Sequence, residues 1–479
     1  MFLNSSKDLK ISKNTRLALL SSFFLFLSLC TWSLSGPLTS GYDSTFHMAN
    51  IWCANGTQTG ICEDITMSNK GIQGRIPASL TSEPVESGLV IADLSASSRE
   101  SPFYRIMHFF VSDNTTQSVL LIRFVNSLIT GFIFFCLMFF SIGRIRIAIL
   151  SAWTFTILPV VMATLWQSNP RSWGYLSVMS CWAFLYLALY NTARNPHYPR
   201  LIWLPFAFSL FLALTSRVDA AMFTVFSCSI VLSSYLIKSQ FIRVRTFSIV
   251  ALLAMLAFVV LRTFSSTLSW YTQFDFGSLF VDNEILFVLI HLPENIADGL
   301  GLGLRYVDLG PDAIGIIGVS LYCIALASWL KQSTPHQVVI VVVAAAFLLF
   351  AMFQIAFNWS EVNEASGVYV TALLTVLLGF SATYSRSTDY FPSSKSGVSL
   401  IVLLLSISHA LSLYSKFVWG VRSDIANDTY TKLSLNGGWW WDIPIGPNWF
   451  YWFGVFCFPA WLSISWKLAL QQKTTALKS

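Results

Sequence analysis

Apolar residues in this chain neither alternate nor keep to one face of a helix; they come in long blocks separated by polar joints. Blocks of roughly 20 residues with almost no charge are what a helix needs to cross about 30 Å of hydrocarbon. They fall at 17–34, 118–140, 147–165, 173–191, 201–215, 219–237, 246–264, 312–330, 337–357, 367–384, 397–415 and 449–467. The pattern therefore predicts twelve spans. Its weakest pair is 201–215 with 219–237, because the first is short and the break between them carries charge.

Composition agrees. Of 479 residues, 55% are hydrophobic and only 11% charged, too few charges to cover a soluble surface of this size. The expected fold class is all-α integral membrane: about 12 transmembrane helices, one polytopic domain over 1–479, and a large first extracytoplasmic loop. The first block has the basic flank of a secretory signal peptide, but its apolar run is long and no good cleavage pattern follows, so it reads as a retained helix.

Charge orients the scheme. With both termini cytoplasmic, the inner segments hold seventeen of the 29 Lys and Arg residues, while only Asp8 and Asp389 of the 23 acids fall inside. That is the positive-inside bias, and it places the protein as a multi-pass cell-membrane protein. The net charge of +6 is then a topology signal that gives no reason to invoke nucleic acid.

Three external loops are long, at 35–117, 265–311 and 416–448, so polar chemistry gathers on the outer face. In the first, "SPFYRIMHFF" (101–110) sets Phe103, Met107 and Phe110 on one helical side and Arg105 on another. This suits either a helix lying in the interface or an ordinary packed loop helix. Cys53 and Cys62 enclose "ANGTQTGI" and read as a local disulfide in an oxidising compartment. The other six cysteines fall within spans as small apolar fillers. No His or Cys pair at ligand spacing accompanies them, so no metal site or other cofactor is evident.

"SGPLTSGYDSTFH" (35–47) follows the first span. Gly36-Pro37 stops that helix and Gly41 permits a turn. Ser40, Asp43 or Ser44 can then cap a new helix through "TFHMANIWC". Asp43 and His47, four apart, share one face of it. Two accounts stay open at this point: a cap with its neighbour, or a functional pair.

The order of features resembles the GT-C-fold membrane glycosyltransferases: one helix, a large external loop opened by a carboxylate, then a bundle of further spans. More closely, the chain is similar to a bacterial family of predicted membrane proteins whose first loop carries Pro-Asp-Glu-x-x-His. "YDSTFH" matches it at Asp43 and His47, with Tyr42 and Ser44 in place of Pro and Glu. "LLIRFVNSLITG", "SNPRSWGY", "TSRVDAAMF" and "LRYVDLGPD" resemble its later motifs. "NEASGVYVTALL" lacks the Arg that the family has there.

The resemblance implies inverting sugar transfer, on the outer face, from a polyprenyl-phosphate donor to a glycan, lipid or protein acceptor of the cell envelope. Asp43 would be the catalytic base. Substrate-binding candidates are His47, Arg123, Arg171, Arg217, Asp219, Arg305, Asp308 and Glu361. Some GT-C relatives bind a divalent ion beside an acidic pair; no ligand cluster here supports one. Arg123 lies about a turn inside its span and must snorkel, pair or bind an anion. Arg217 with Asp219, and Arg305 with Asp308, read equally as structural ion pairs. Glu361, after "NWS", can orient sugar hydroxyls or be solvated.

Trp439, Trp440, Trp441, Trp449 and Trp452 crowd the outer entrance of the last span, as an interfacial belt or as a platform for sugar or donor lipid. The rival function is a transporter or flippase of lipid-linked or polymeric saccharide. Transporters place ionisable groups near the midplane, whereas here the span middles are almost free of charge.

Overall fold

The computed structural model describes residues 12–40, 44–68, 71–80, 88–94, 101–191, 201–238, 312–331, 368–384, 394–422, 441 and 445–476. The spans expected at 246–264 and 337–357 lie outside them. The other ten each coincide with helix. These are α1 (Lys13–Leu34), α4 (Thr115–Phe140), α5 (Gly143–Thr156) with α6 (Pro159–Leu165), α7 (Pro170–Asn191), α8 (Trp203–Ser216), α9 (Val218–Lys238), α10 (Asp312–Lys331), α11 (Val368–Tyr384), α12 (Lys395–Arg422) and α13 (Pro447–Ala476). Before α4, the first loop contributes two short helices, α2 (Ser44–Trp52) and α3 (Pro102–His108). The protein is mostly helical. Among the described residues five helices are long and apolar enough to cross a membrane: α1, α4, α7, α12 and α13.

The block 147–165 is not one straight helix. α5 and α6 meet at 94°, the geometry of a broken span or of a re-entrant loop. The break follows from Pro159, whose ring disfavours helix at the preceding residue: Leu158 is extended (ψ 169°) and Pro159 opens α6. α8 and α9 are separate helices joined through extended Arg217, so the charged break noted in the sequence is the joint. α12 runs to Arg422, past the expected end at 415.

Side chains set the ends. Ser12 Oγ accepts from Thr15 N at 3.1 Å to open α1, and Asn114 Oδ1 accepts from Gln117 N at 2.9 Å to open α4. Each satisfies an amide that the helix leaves without a partner. α1 packs against α4, running antiparallel, and against α13. A Cβ on Gly454 of α13 would lie 2.6 Å from both Thr31 Oγ1 of α1 and Leu413 Cδ2 of α12. That close approach is how small residues let membrane helices pack where burial from lipid supplies little drive.

The first loop holds something the hydropathy blocks do not announce. β1 (Glu63–Ser68), β2 (Gly71–Pro77) and β3 (Leu89–Leu94) form an antiparallel meander, with Gly74 opposite Ala92 and Thr66 opposite Gln73. Cys53 and Cys62 are disulfide-bonded, Cα to Cα 5.2 Å. The bridge ties the end of α2 to the start of β1 and packs over Gly74, where a Cβ would sit 3.1 Å from Cys53 Sγ. With Trp52, Ile76 and Leu80, fully buried, it makes a small core beneath the loop.

Candidate functional site

The loop begins where α1 stops. Ser35 closes α1 and Ser40 N bonds Pro37 O at 3.0 Å, so the chain doubles back; a Cβ on Gly36 would overlap Ser40. Five carbonyls of this turn converge on one side chain. Arg123 Nη1 donates to Ser33 O (2.9 Å) and Gly36 O (3.1 Å). Its Nη2 donates to Pro37 O (2.7 Å), Leu38 O (2.8 Å) and Ser40 O (3.4 Å). The guanidinium lies over Trp166 (4.8 Å to the ring centroid) and Trp441 (5.6 Å). Trp441 Nε1 donates to Leu34 O at 3.0 Å. Arg123 is 0% exposed. Its fork therefore meets the buried-charge cost with backbone oxygen and aromatic faces. In the structure Arg123 is the brace of the turn that leads to Asp43.

α2 starts at Ser44, whose Oγ donates to Thr39 O. Two rungs join it to α3. His47 Nδ1 hydrogen-bonds Tyr104 Oη at 2.7 Å, and His108 Nδ1 donates to Ile51 O at 2.9 Å. Both pairs are 57 residues apart, and the members of each helix are one turn apart, so α2 and α3 lie side by side and parallel. "SPFYRIMHFF" is thus a packed helix: Phe103 and Met107 are fully buried, with Phe103 edge-on to Trp173 at 4.9 Å, while Phe109 is 81% exposed.

α7 brings the first cation. Asn169 Oδ1 accepts from Arg171 N at 2.9 Å. Trp173 Nε1 donates to Asn126 Oδ1 at 2.9 Å, and Asn126 Nδ2 to Gln167 O at 2.7 Å. This network fixes the start of α7 against α4, and Arg171 is buried. Arg217 arrives from the α8–α9 joint, half-buried. Ser101, just before α3, donates to Thr215 O at 3.3 Å and holds that joint to the loop.

The two arginines act on His47. Burial chiefly, then the charges of Arg217 and Arg171, push its pKa from the ordinary 6.5 down to about 3. The imidazole is thus neutral at physiological pH. The folded state refuses a proton that the unfolded chain accepts, so stability is complete above pH 6.5 and is lost as pH falls towards 3. The loss is roughly 1.4 kcal/mol per pH unit in that window. Hydrogen exchange of α2 amides should quicken across it in the wild type and not in His47→Asn; identical acid profiles would remove His47 as the cause.

The structure thus brings His47, Arg171 and Arg217 together and adds Tyr104, which the sequence reading did not nominate. Asp43, Arg305, Asp308 and Glu361 lie outside the described residues, as does the side chain of Asp219. Trp449 and Trp452 are exposed on α13, as an interfacial belt requires. Among the described residues no three His, Cys, Asp or Glu side chains gather to hold a metal. No protein-family model, no curated protein and no solved structure matches the chain.

Proposed function

We propose that the protein is a GT-C-like glycosyltransferase of twelve spans, with both termini cytoplasmic and an outward-facing site. It would move a sugar from a polyprenyl-phosphate donor to a cell-envelope acceptor with inversion. One observation supports this most: Arg171, at the start of α7, and Arg217, at the α8–α9 joint, act together on His47 in the first loop. Two guanidiniums in a partly buried setting are suited to a phosphodiester, whose oxygens compete well for their donors.

The chemistry follows. Asp43 takes the proton of an acceptor hydroxyl as that oxygen attacks the anomeric carbon. The bond from that carbon to the phosphate oxygen breaks, its electron pair stays with the phosphate, and the arginines meet the charge that develops there. His47, neutral and held by Tyr104, offers a hydrogen bond and not a charge.

A deletion strain should lack one sugar of its envelope glycans and accumulate the corresponding lipid-linked donor by mass spectrometry. An unchanged envelope would refute the reading. A flippase would also accumulate donor, but its transport would survive Asp43→Asn.

A further inference from the structure

The opposite end of the bundle from the loop holds a second concentration of positive charge, which sugar transfer does not use. α4 runs away from the loop and ends at Phe140; α5 begins at Gly143, where φ is +54°. The joint reads "SIGRIR" (141–146). Arg146 is 2% exposed, and its Nη2 donates back to Ser141 O. The guanidinium is therefore folded towards the start of its own helix. Five polar atoms of this joint are buried and make no hydrogen bond among the described residues: Ser141 Oγ, Arg144 Nε and Nη2, and Arg146 Nε and Nη1. The single ion pair among the described residues is on the loop, Arg75 with Asp64, so among the described residues no carboxylate answers either arginine.

Buried guanidinium donors without an acceptor are costly, because they have given up water for nothing. Ile142 supplies no side-chain cap to α5, and the positive end of that helix adds to the same field. A single acceptor that served donors of both forks and the hydroxyl would have to be anionic and present several oxygens. A phosphate group does that; a lone carboxylate fills one fork.

We propose that Ser141, Arg144 and Arg146 form a phosphate-binding site at this end of the bundle, cytoplasmic in the orientation proposed above. The phosphate is carried either by a phospholipid headgroup or by a soluble molecule.

The test uses the purified full chain in a neutral maltoside detergent, titrated in one arm with phosphatidic acid and in the other with inorganic phosphate. The thermal midpoint is the readout, with native mass spectrometry for bound lipid. A rise with phosphatidic acid alone identifies a headgroup; a rise with inorganic phosphate identifies a soluble source. Arg144→Gln and Arg146→Gln should each bind about tenfold more weakly or worse. Arg144 is only half-buried, so its variant carries the test if Arg146→Gln does not fold. A wild type that responds to neither probe, or an Arg144→Gln that responds as strongly as wild type, overturns the proposal. Arg217→Gln, which weakens the outer-face phosphate contact proposed above, should respond as wild type does, which keeps this result separate from the outer-face reading.

Discussion

Asp43→Asn should lower sugar transfer by roughly 10²–10⁴-fold, the usual worth of a positioned general base, with expression and thermal midpoint close to wild type. A hydroxyl is a poor nucleophile at neutral pH, and its proton must leave as the new bond forms. The amide is nearly isosteric with the carboxylate and precedes a helix start equally well, but it cannot take that proton. The setting of the neighbouring residues makes the test sharp. The turn through Ser40 is held by Arg123, and α2 is held from Ser44 onward by Thr39 and Tyr104. Neither anchor involves the substituted group. The measurement is single-turnover transfer from a polyprenyl-phosphate sugar in proteoliposomes, beside a thermal melt. Full transfer by the variant would reduce Asp43 to a helix cap.

What the sequence made legible was the membrane part, because hydrocarbon imposes a length and an apolarity that a run of residues either has or lacks. α1, α4 and α7 could be read to within a few residues on that ground. The break at Pro159 was equally present as a residue, yet a proline within a long apolar block is tolerated in membrane helices, so only packing reveals the 94° bend. The loop sheet was hidden for the opposite reason. Its strands are short, and "GIQGRIP" (71–77) carries two glycines and no strong alternation, so pairing with "LVIADL" (89–94) and the cover of α2 decide it.

The site was half legible. His47 stood out by its motif and Arg171 and Arg217 by their charge at the ends of blocks. Tyr104 did not, although it was recoverable: Tyr104 and His108 repeat the four-residue step of His47 and Ile51, and two such helices can meet rung by rung. In the sequence the joint at 141–146 shows only inner-face charge, since burial of its donors is a tertiary property. The sequence marks Arg123 as a charge inside a span that must snorkel, pair or bind an anion; in the structure its donors meet backbone. Carbonyls have no sequence signature.

That partner choice leads to the second large effect. Arg123→Ala should destabilise the protein by on the order of 3–5 kcal/mol, the scale on which a buried charge network fails when one member is removed. Five carbonyls between Ser33 and Ser40 lose their donor. Trp166 and Trp441 lose the cation that lies over both rings. The missing side chain also leaves a void in a place shut off from water, where the carbonyls find no ready substitute. Arg123→Lys keeps the charge but presents one ammonium where a fork served carbonyls on two sides, so it should fall between wild type and alanine. Fluorescence-detected size exclusion after graded heating measures both, and the order expected is wild type, Lys, Ala. Donor affinity per folded molecule separates this from a ligand role. As a brace, Arg123 governs how much protein is folded, and the Lys variant that remains folded should bind a polyprenyl-phosphate sugar almost as wild type does. A variant with the wild-type midpoint and lost donor affinity would make Arg123 a phosphate contact after all.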